Sequence, residues 1–174
     1  MSTTKPVIGM VQGDPAGIGS ELMIKLLADQ DVRQRADIVV IGAPSVFERG
    51  EGIAGSRIER QHTSAFDPAC VQSAALQHID LQIDNIKEVP LAQVSAAGGQ
   101  SSLKGLELAF ELSSKKCIDG VCFMPLNKES MHLGGNPYMD ESVLRVTISV
   151  LKPGPVNLTS PRACGTAGSH LTLQ

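Results

Sequence analysis

The sequence predicts an α/β fold, in which helices cover both faces of a parallel β-sheet. Three observations lead to this class. The apolar run Val7–Val11 is followed by a glycine-containing loop and then by apolar residues at helical spacing. The β-branched run of residues 38–41 suits a strand that is buried on both faces. A third apolar run, residues 121–124, follows a helical stripe, so strands and helices alternate along the chain.

Residues 13–21 form the glycine loop, which reads Gly-Asp-Pro-Ala-Gly-Ile-Gly-Ser-Glu. Glycines allow positive φ angles and a close approach by another molecule, and the N-terminus of the following helix favours a phosphate or carboxylate. The loop has neither the dinucleotide-binding fingerprint nor the Gly-Lys-Ser/Thr of a Walker loop. Its two interpretations are an anion-facing turn and a plain structural turn. Asp14 accordingly either orients a ligand or accepts hydrogen bonds from its own turn.

The stretch from residue 50 to residue 90 gives a weaker pattern. Residues 50–64 are polar and predict surface loops with a short strand. A weak helical pattern covers residues 68–82. Residues 83–89, which end at Pro90, predict a strand.

A long helix follows the small-residue loop of residues 95–102. Ser101 or Ser102 would cap its start, and the cations Lys115 and Lys116 suit its C-terminal end. Glu111 lies one turn before Lys115, which predicts an ion pair. The apolar stripe of this helix comprises Leu103, Leu106, Ala109, Phe110 and Leu112.

Asn127 and Lys128 follow the apolar run of residues 121–124, which we expect to lie inside the sheet. In open α/β sheets, ligands bind at the carboxyl ends of the strands. Lys128 therefore either anchors an anion or is a solvated residue at the start of a short helix that ends at Gly134. His132, on that helix, is expected to be a surface or capping residue.

Composition excludes several classes of function. A net charge of −3, with scattered Lys and Arg, argues against nucleic acid as a partner. Aromatic residues make up only 3%, so base-stacking and carbohydrate platforms are poorly supplied. No run is long enough to span a membrane, and no signal-like segment precedes the first strand, which predicts a cytoplasmic protein without membrane contact. The four cysteines lack C-x-x-C spacing and are expected to be reduced thiols.

Two segments together resemble the family of 4-hydroxythreonine-4-phosphate dehydrogenase. They are the glycine loop and residues 124–129, which read Met-Pro-Leu-Asn-Lys-Glu. The start of the long helix also looks like that family, so residues 1–141 are interpreted as a family-like α/β region and residues 142–174 as a divergent tail. The resemblance implies the two-domain fold shared with isocitrate and isopropylmalate dehydrogenases, incomplete in this chain. That fold lacks the dinucleotide fingerprint.

Members of that family are dimers that oxidise a secondary alcohol with NAD, using a divalent metal held by histidines from both subunits, and the product can lose carbon dioxide. The resemblance therefore implies NAD, a divalent metal (Zn²⁺, Mg²⁺ or Co²⁺), a small anionic substrate and a homodimer. Asn127 and Lys128 match the strand-end motif and would contact the substrate, and Asp14 would line the cleft. His170 resembles the first metal ligand of the family.

The chain departs from the family pattern after the short helix. Residues 138–141 read Tyr-Met-Asp-Glu, where the family has Gly-His-Thr-Glu. A phosphorylated hydroxy acid and a carboxylated dihydrodiol thus both remain candidate substrates. The second half of the family's chain, with two further metal histidines, is absent from this sequence, which predicts a truncated or frame-altered dehydrogenase with impaired activity.

Two other interpretations are not enzymatic. The chain could be a non-catalytic module that binds an anion without redox chemistry. It could also be an orphaned fragment whose exposed apolar face leads to self-association.

Overall fold

A computed structural model describes residues 5–73 and 75–136 of the chain. Its strands are β1 (Val7–Val11), β2 (Asp37–Gly42), β3 (Gln61–Thr63), β4 (Gln77–Asp80) and β5 (Gly120–Phe123). Its helices are α1 (Gly19–Ala28), α2 (Gln30–Arg35), α3 (Pro44–Ala54), α4 (Pro68–Gln72), α5 (Ala96–Ser114) and α6 (Lys128–Leu133), and a short 3-10 turn spans Ile86–Glu88. The strands form one sheet in the order β3-β4-β2-β1-β5.

All neighbouring strands of this sheet are parallel. Their carboxyl ends therefore lie along one edge, which we call the rim. Helices cover both faces, as the α/β class requires. On one face, Val7 and Val11 pack with Leu106 of α5. On the other, Met10 packs with Met23 of α1 and with Phe47 of α3, so β1 alternates its side chains between two apolar cores.

The first two strands and the long helix are confirmed. β1 has the predicted bounds, and β2 extends the predicted run of residues 38–41 by one residue at each end. Helix α5 ends at Ser114, just before Lys115, and the Lys115 ammonium lies 2.7 Å from the Glu111 carboxylate as predicted. A short strand, β3, does lie within residues 50–64.

The prediction of surface loops from residue 50 onward is wrong at its start, because α3 continues through Gly50 and Gly52 to Ala54. Gly50 faces helix α1 rather than making a turn. A Cβ atom at Gly50 would lie 2.7 Å from the backbone oxygen of Ser20, so a residue without a side chain is needed where the two helices meet.

The strand predicted for residues 83–89 is also wrong, since this segment contains the 3-10 turn instead. Ile83, Ile86 and Val89 are spaced by three residues and all enter one apolar cluster, whereas a strand alternates every two residues. The strand of this region is β4, which lies within residues 68–82. The weak helical pattern of that stretch is confirmed only at α4.

Two further predictions near the rim need correction. Ser95 caps α5 instead of Ser101 or Ser102, because its side chain accepts a hydrogen bond from the Gly98 amide and the helix begins nearly two turns earlier. Strand β5 is the last strand of the described sheet and not an interior one. The apolar composition of a strand indicates that its side chains pack against other apolar groups. It does not give the position of the strand in the sheet, because strand order depends on pairing between distant residues.

The surface between α1 and β5 carries an apolar groove of about 520 Å³, lined by Leu22, Leu26 and Phe123 among others. Across the described residues, no helix combines the length and the apolar character that crossing a membrane would demand. Cys70 and Cys122 have free thiols, whereas Cys117 is disulfide-bonded. The expectation of reduced thiols is wrong at Cys117, because sequence spacing excludes only close pairs of cysteines.

Candidate functional site at the rim of the sheet

The glycine loop and the turn after β5 meet at the rim. The Asp14 amide donates a hydrogen bond of 3.0 Å to the Pro125 carbonyl oxygen. Gly13 has a φ angle of 75°, and a Cβ atom placed on it would lie 2.5 Å from the same oxygen. Only glycine combines this backbone conformation with so close a contact. Two segments that are distant in sequence are thus held together by their backbones.

Asp14 is buried, with 5% of its surface exposed. Its Oδ1 atom accepts a hydrogen bond of 2.9 Å from the Ala16 amide, so the carboxylate stabilises its own turn. The same oxygen lies close to the start of α5, at 3.2 Å from the position that a Cβ atom on Gly98 would occupy. The partial positive charge at a helix N-terminus stabilises a carboxylate in such a place.

Asn127 and Lys128 lie on the other side of this contact. Asn127 is the N-cap of α6, and its Oδ1 atom accepts a hydrogen bond of 3.0 Å from the Ser130 amide. Its NH₂ group makes no hydrogen bond to the described part of the chain. Lys128 is the first residue of α6 and its side chain is exposed. The structure therefore gives Asn127 a local role and places Lys128 at the start of α6, next to the rim.

The start of helix α5 contacts α6 next to the rim. The Ser95 amide donates a hydrogen bond of 3.3 Å to the Ser130 hydroxyl, which links the start of α5 to α6. The sequence places Ser95 in a loop, yet the structure makes it both the cap of α5 and a contact to α6.

Arg49 of α3 is a rim residue that sequence reasoning missed. Its guanidinium donates to the backbone oxygen of Pro15 in the glycine loop, and to the Val89 oxygen at 3.2 Å. The Ala92 amide donates to the Ala16 oxygen at 2.8 Å in the same region. Arg49 lies in α3, a helix that the sequence pattern does not predict.

The structure does not bring a metal set to the rim within the described residues. His170, the predicted metal ligand, lies outside them, as do residues 138–141. His132 is exposed, and its Nδ1 atom lies 3.2 Å from the Asn136 carbonyl oxygen, which agrees with a surface or capping role. One cluster that could hold a metal does occur in the described part, formed by His62, His78 and Asp80 on strands β3 and β4. No sequence pattern indicated this cluster, because the pairing of these strands is not readable from local spacing.

The family model for the pyridoxal phosphate biosynthetic protein PdxA matches residues 34–150, which is most of the chain. The chain belongs to the PdxA family. A Pseudomonas aeruginosa relative is 41% identical over 137 residues, covering 78% of this chain and 40% of its own length. The D-threonate 4-phosphate dehydrogenase of Cupriavidus necator is 36% identical over 139 residues, covering 79% of this chain and 41% of that enzyme.

Solved structures of two kinds of dehydrogenase share the fold. A crystal structure of a 4-hydroxythreonine-4-phosphate dehydrogenase from Burkholderia phymatum superposes with a TM-score of 0.78 at 30% identity, covering 85% of this chain and 44% of that one. A terephthalate 1,2-cis-dihydrodiol dehydrogenase from Burkholderia xenovorans has a TM-score of 0.61 at 20% identity over 78% of this chain and 38% of its own, which shows the fold alone. The chain spans about 40% of the length of the relatives it matches.

Proposed function

We propose that this chain carries the substrate-binding rim of a dehydrogenase that oxidises a phosphorylated secondary alcohol with NAD and a divalent metal. The observation that carries the proposal is the hydrogen bond of 3.0 Å between the Asp14 amide and the Pro125 oxygen, which joins the glycine loop to the Asn127 and Lys128 turn. Membership of the PdxA family supports the dehydrogenase class. The homodimer and the cytoplasmic location predicted from the sequence belong to the same proposal.

The three polar residues of the rim have distinct proposed tasks. Lys128 supplies the positive charge for the anionic end of the substrate, since an ammonium group binds phosphate as a point charge. The NH₂ group of Asn127 donates a second hydrogen bond, because only the oxygen of that amide is used by the cap. Asp14 faces the polar, uncharged part of the substrate, because its carboxylate would repel a phosphate.

The two cofactors are proposed for the whole protein on the strength of its family. Bound metal would polarise the substrate hydroxyl while NAD accepts hydride. At the rim, however, the Asp14 Oδ1 atom accepts from Ala16 and the Asn127 Oδ1 atom accepts from Ser130. These residues do not fit a metal-ligand set. No catalytic step is therefore assigned to a metal at the rim, and His170 remains a proposed ligand.

Names of the relatives direct the choice of substrates. They act on 4-hydroxythreonine 4-phosphate or D-threonate 4-phosphate, and one fold neighbour is a dihydrodiol dehydrogenase. The phosphorylated class is favoured because the identity is higher for those relatives. A carboxylated dihydrodiol is the second candidate, since Met139 and Asp140 stand where the family motif has histidine and threonine.

Binding is tested by calorimetry of the full chain with D-threonate 4-phosphate. Lys128→Ala should weaken binding about tenfold, which corresponds to about 1.4 kcal/mol, a common size for a charged hydrogen bond. Lys115→Ala is the matched control, because it removes an exposed lysine at the opposite end of α5. Equal affinities in the two variants would contradict the role of Lys128.

Catalysis is tested separately by NADH formation from the same substrates with added Mg²⁺, Zn²⁺ or Co²⁺. Turnover that depends on the metal would support the dehydrogenase proposal. Binding that Lys128→Ala weakens, without any NADH formation, would instead favour the non-catalytic anion-binding module.

A further inference from the structure

We propose that His62, His78 and Asp80 form a binding site for a divalent transition-metal ion of the Zn²⁺ class at the β3 edge of the sheet. Strand pairing creates the cluster. His62 of β3 is the register partner of His78 of β4. Asp80 lies two residues after His78, so its side chain is on the same face of the sheet. One nitrogen from each histidine and one oxygen from Asp80 lie within 4.8 Å of one another.

The three ligand atoms lie near one another but, taken together, wider apart than around a bound ion. The His62 Nδ1 atom lies 2.9 Å and 3.0 Å from the two oxygens of Asp80. The His78 ring comes within 4.0 Å of Asp80 Oδ1 through Nε2, but Nε2 also contacts the Gly42 carbonyl oxygen, so Nδ1 is the nitrogen left to bind an ion. Ligand bonds of about 2.0 to 2.2 Å in tetrahedral geometry place neighbouring ligand atoms about 3.3 Å apart. The three ligand atoms, which lie within 4.8 Å of one another, would therefore move closer together on binding an ion.

His78 is the residue that most needs a further partner. Its side chain is fully buried. Nε2 lies 3.1 Å from the Gly42 carbonyl oxygen, which can only accept, so Nε2 carries the hydrogen. Nδ1 has no hydrogen-bond partner among the described residues. An unpaired buried polar atom destabilises the folded chain.

The protonation state of His78 also suits a ligand. Burial lowers the pKa of its imidazole from 6.5 to about 4, although the Asp80 carboxylate acts in the opposite direction. The ring is thus neutral at pH 7. Histidines that bind metal commonly donate their second ring N–H to a backbone carbonyl, as His78 does to Gly42.

Access and charge favour a cation at this position. The side chains of His62 and Asp80 are 42% and 22% exposed, which leaves a path for the ion and its water ligands. The nearby cation, Arg60, is paired with Glu51 at 3.1 Å and with Glu48 at 4.0 Å. Its guanidinium lies over the Phe47 ring, at 4.1 Å from the centroid. The positive charge near the cluster is therefore compensated by two carboxylates.

This site is separate from the rim residues that are proposed to bind substrate. Strands β3 and β4 form one edge of the sheet and β5 forms the other. Three strand spacings separate β4 from β5, which amounts to about 15 Å. A metal here would tie the short strand β3 to β4, so its role would be structural.

The test is calorimetry of Zn²⁺ with the chelator-stripped full chain, together with the visible absorption of bound Co²⁺. We expect binding of one ion per chain at this cluster. His62→Gln and Asp80→Asn should each weaken it about 10- to 100-fold, and both residues are exposed enough for the variants to fold. Thermal unfolding of wild type should move to higher temperature with Zn²⁺, and this shift should be lost in both variants.

Two matched controls isolate the cluster. His132→Gln removes an exposed histidine elsewhere, and His170→Gln removes the ligand proposed for the catalytic metal. Both should retain the Zn²⁺ affinity of wild type within about twofold. The proposal is overturned if wild type does not bind Zn²⁺, or if binding survives His62→Gln and Asp80→Asn. Neither outcome bears on substrate binding, which is measured through Lys128→Ala.

Discussion

The rim and the β3 edge are built by different means. At the rim, backbone meets backbone, as in the hydrogen bond from Asp14 to Pro125. Polar side chains there, such as Asn127, already have partners in their own turn. At the β3 edge, side chains from paired strands meet, and His78 Nδ1 is left without a partner among the described residues. Local sequence motifs report the first kind of site, whereas strand register alone creates the second.

The largest expected effect comes from breaking the backbone contact at the rim. Gly13→Ala adds a Cβ at 2.5 Å from the Pro125 oxygen and at a φ angle of 75°. We expect the free energy of unfolding to fall by about 3 kcal/mol, since both strain and overlap contribute. Urea denaturation measures this change.

Gly55→Ala is the matched control for that experiment. Gly55 has a φ angle of 66°, but a Cβ atom there would meet nothing within 4 Å. Its loss should be only about 1 kcal/mol, which is the cost of the left-handed backbone conformation. Equal losses in the two variants would show that the contact with Pro125 is unimportant.

A second prediction tests the buried imidazole at the β3 edge through pH. The pKa of His78 is about 4 when folded, and the ordinary value is 6.5. Between these values the unfolded chain binds a proton that folded His78 does not, so stability is full above pH 6.5 and falls as the pH drops toward 4. The loss is about 1.4 kcal/mol per pH unit in that range and about 3 kcal/mol in total.

Urea denaturation in the presence of a chelator, at pH 7 and at pH 5, measures that loss. His78→Gln should reduce the difference between the two pH values, and His62→Gln should leave it in place. The imidazole can also be titrated directly by NMR in wild type, which does not depend on the folding of any variant. An imidazole that titrates near pH 6.5 would contradict the prediction.

The smallest effect concerns the cap that links α5 to the rim. Ser95→Ala removes the side-chain hydrogen bond to the Gly98 amide and should cost about 1 kcal/mol of unfolding free energy. Ser101→Ala, at a position favoured by the sequence pattern, should change stability by less than about 0.5 kcal/mol. If Ser101→Ala lowered the melting temperature more than Ser95→Ala, the helix would be capped by Ser101, as the sequence pattern predicts.

Much of the fold could be predicted because its patterns are local. The apolar run of β1, the β-branched run of β2 and the stripe of α5 each identify an element without reference to the rest of the chain. The position of the glycine loop before a helix could also be predicted, since a glycine turn and a helix start are local features of the sequence. The rule that open α/β sheets bind ligands at the carboxyl ends of their strands agrees with the place of both this loop and residues 124–129 at the rim.

The remaining features depend on contacts between distant residues. The sequence places Gly50 in a surface loop, whereas the structure shows that a glycine is needed there because α3 packs closely against Ser20 of α1. The spacing of Ile83, Ile86 and Val89 acquires meaning only when their common cluster is known. His62 and His78 are 16 residues apart, and nothing in either strand indicates that they are register partners.

Arg49 donates hydrogen bonds to the backbone oxygens of Pro15 and Val89. The Ala92 amide donates to the Ala16 oxygen. These hydrogen bonds have an entropic consequence for the glycine loop. A loop held by hydrogen bonds on both sides has little conformational entropy left to lose when a ligand binds. Its ordering cost was met during folding, so a larger share of the contact energy is expressed as affinity. The glycines of this loop thus allow a ligand to come close to the backbone, and they do not make the loop flexible.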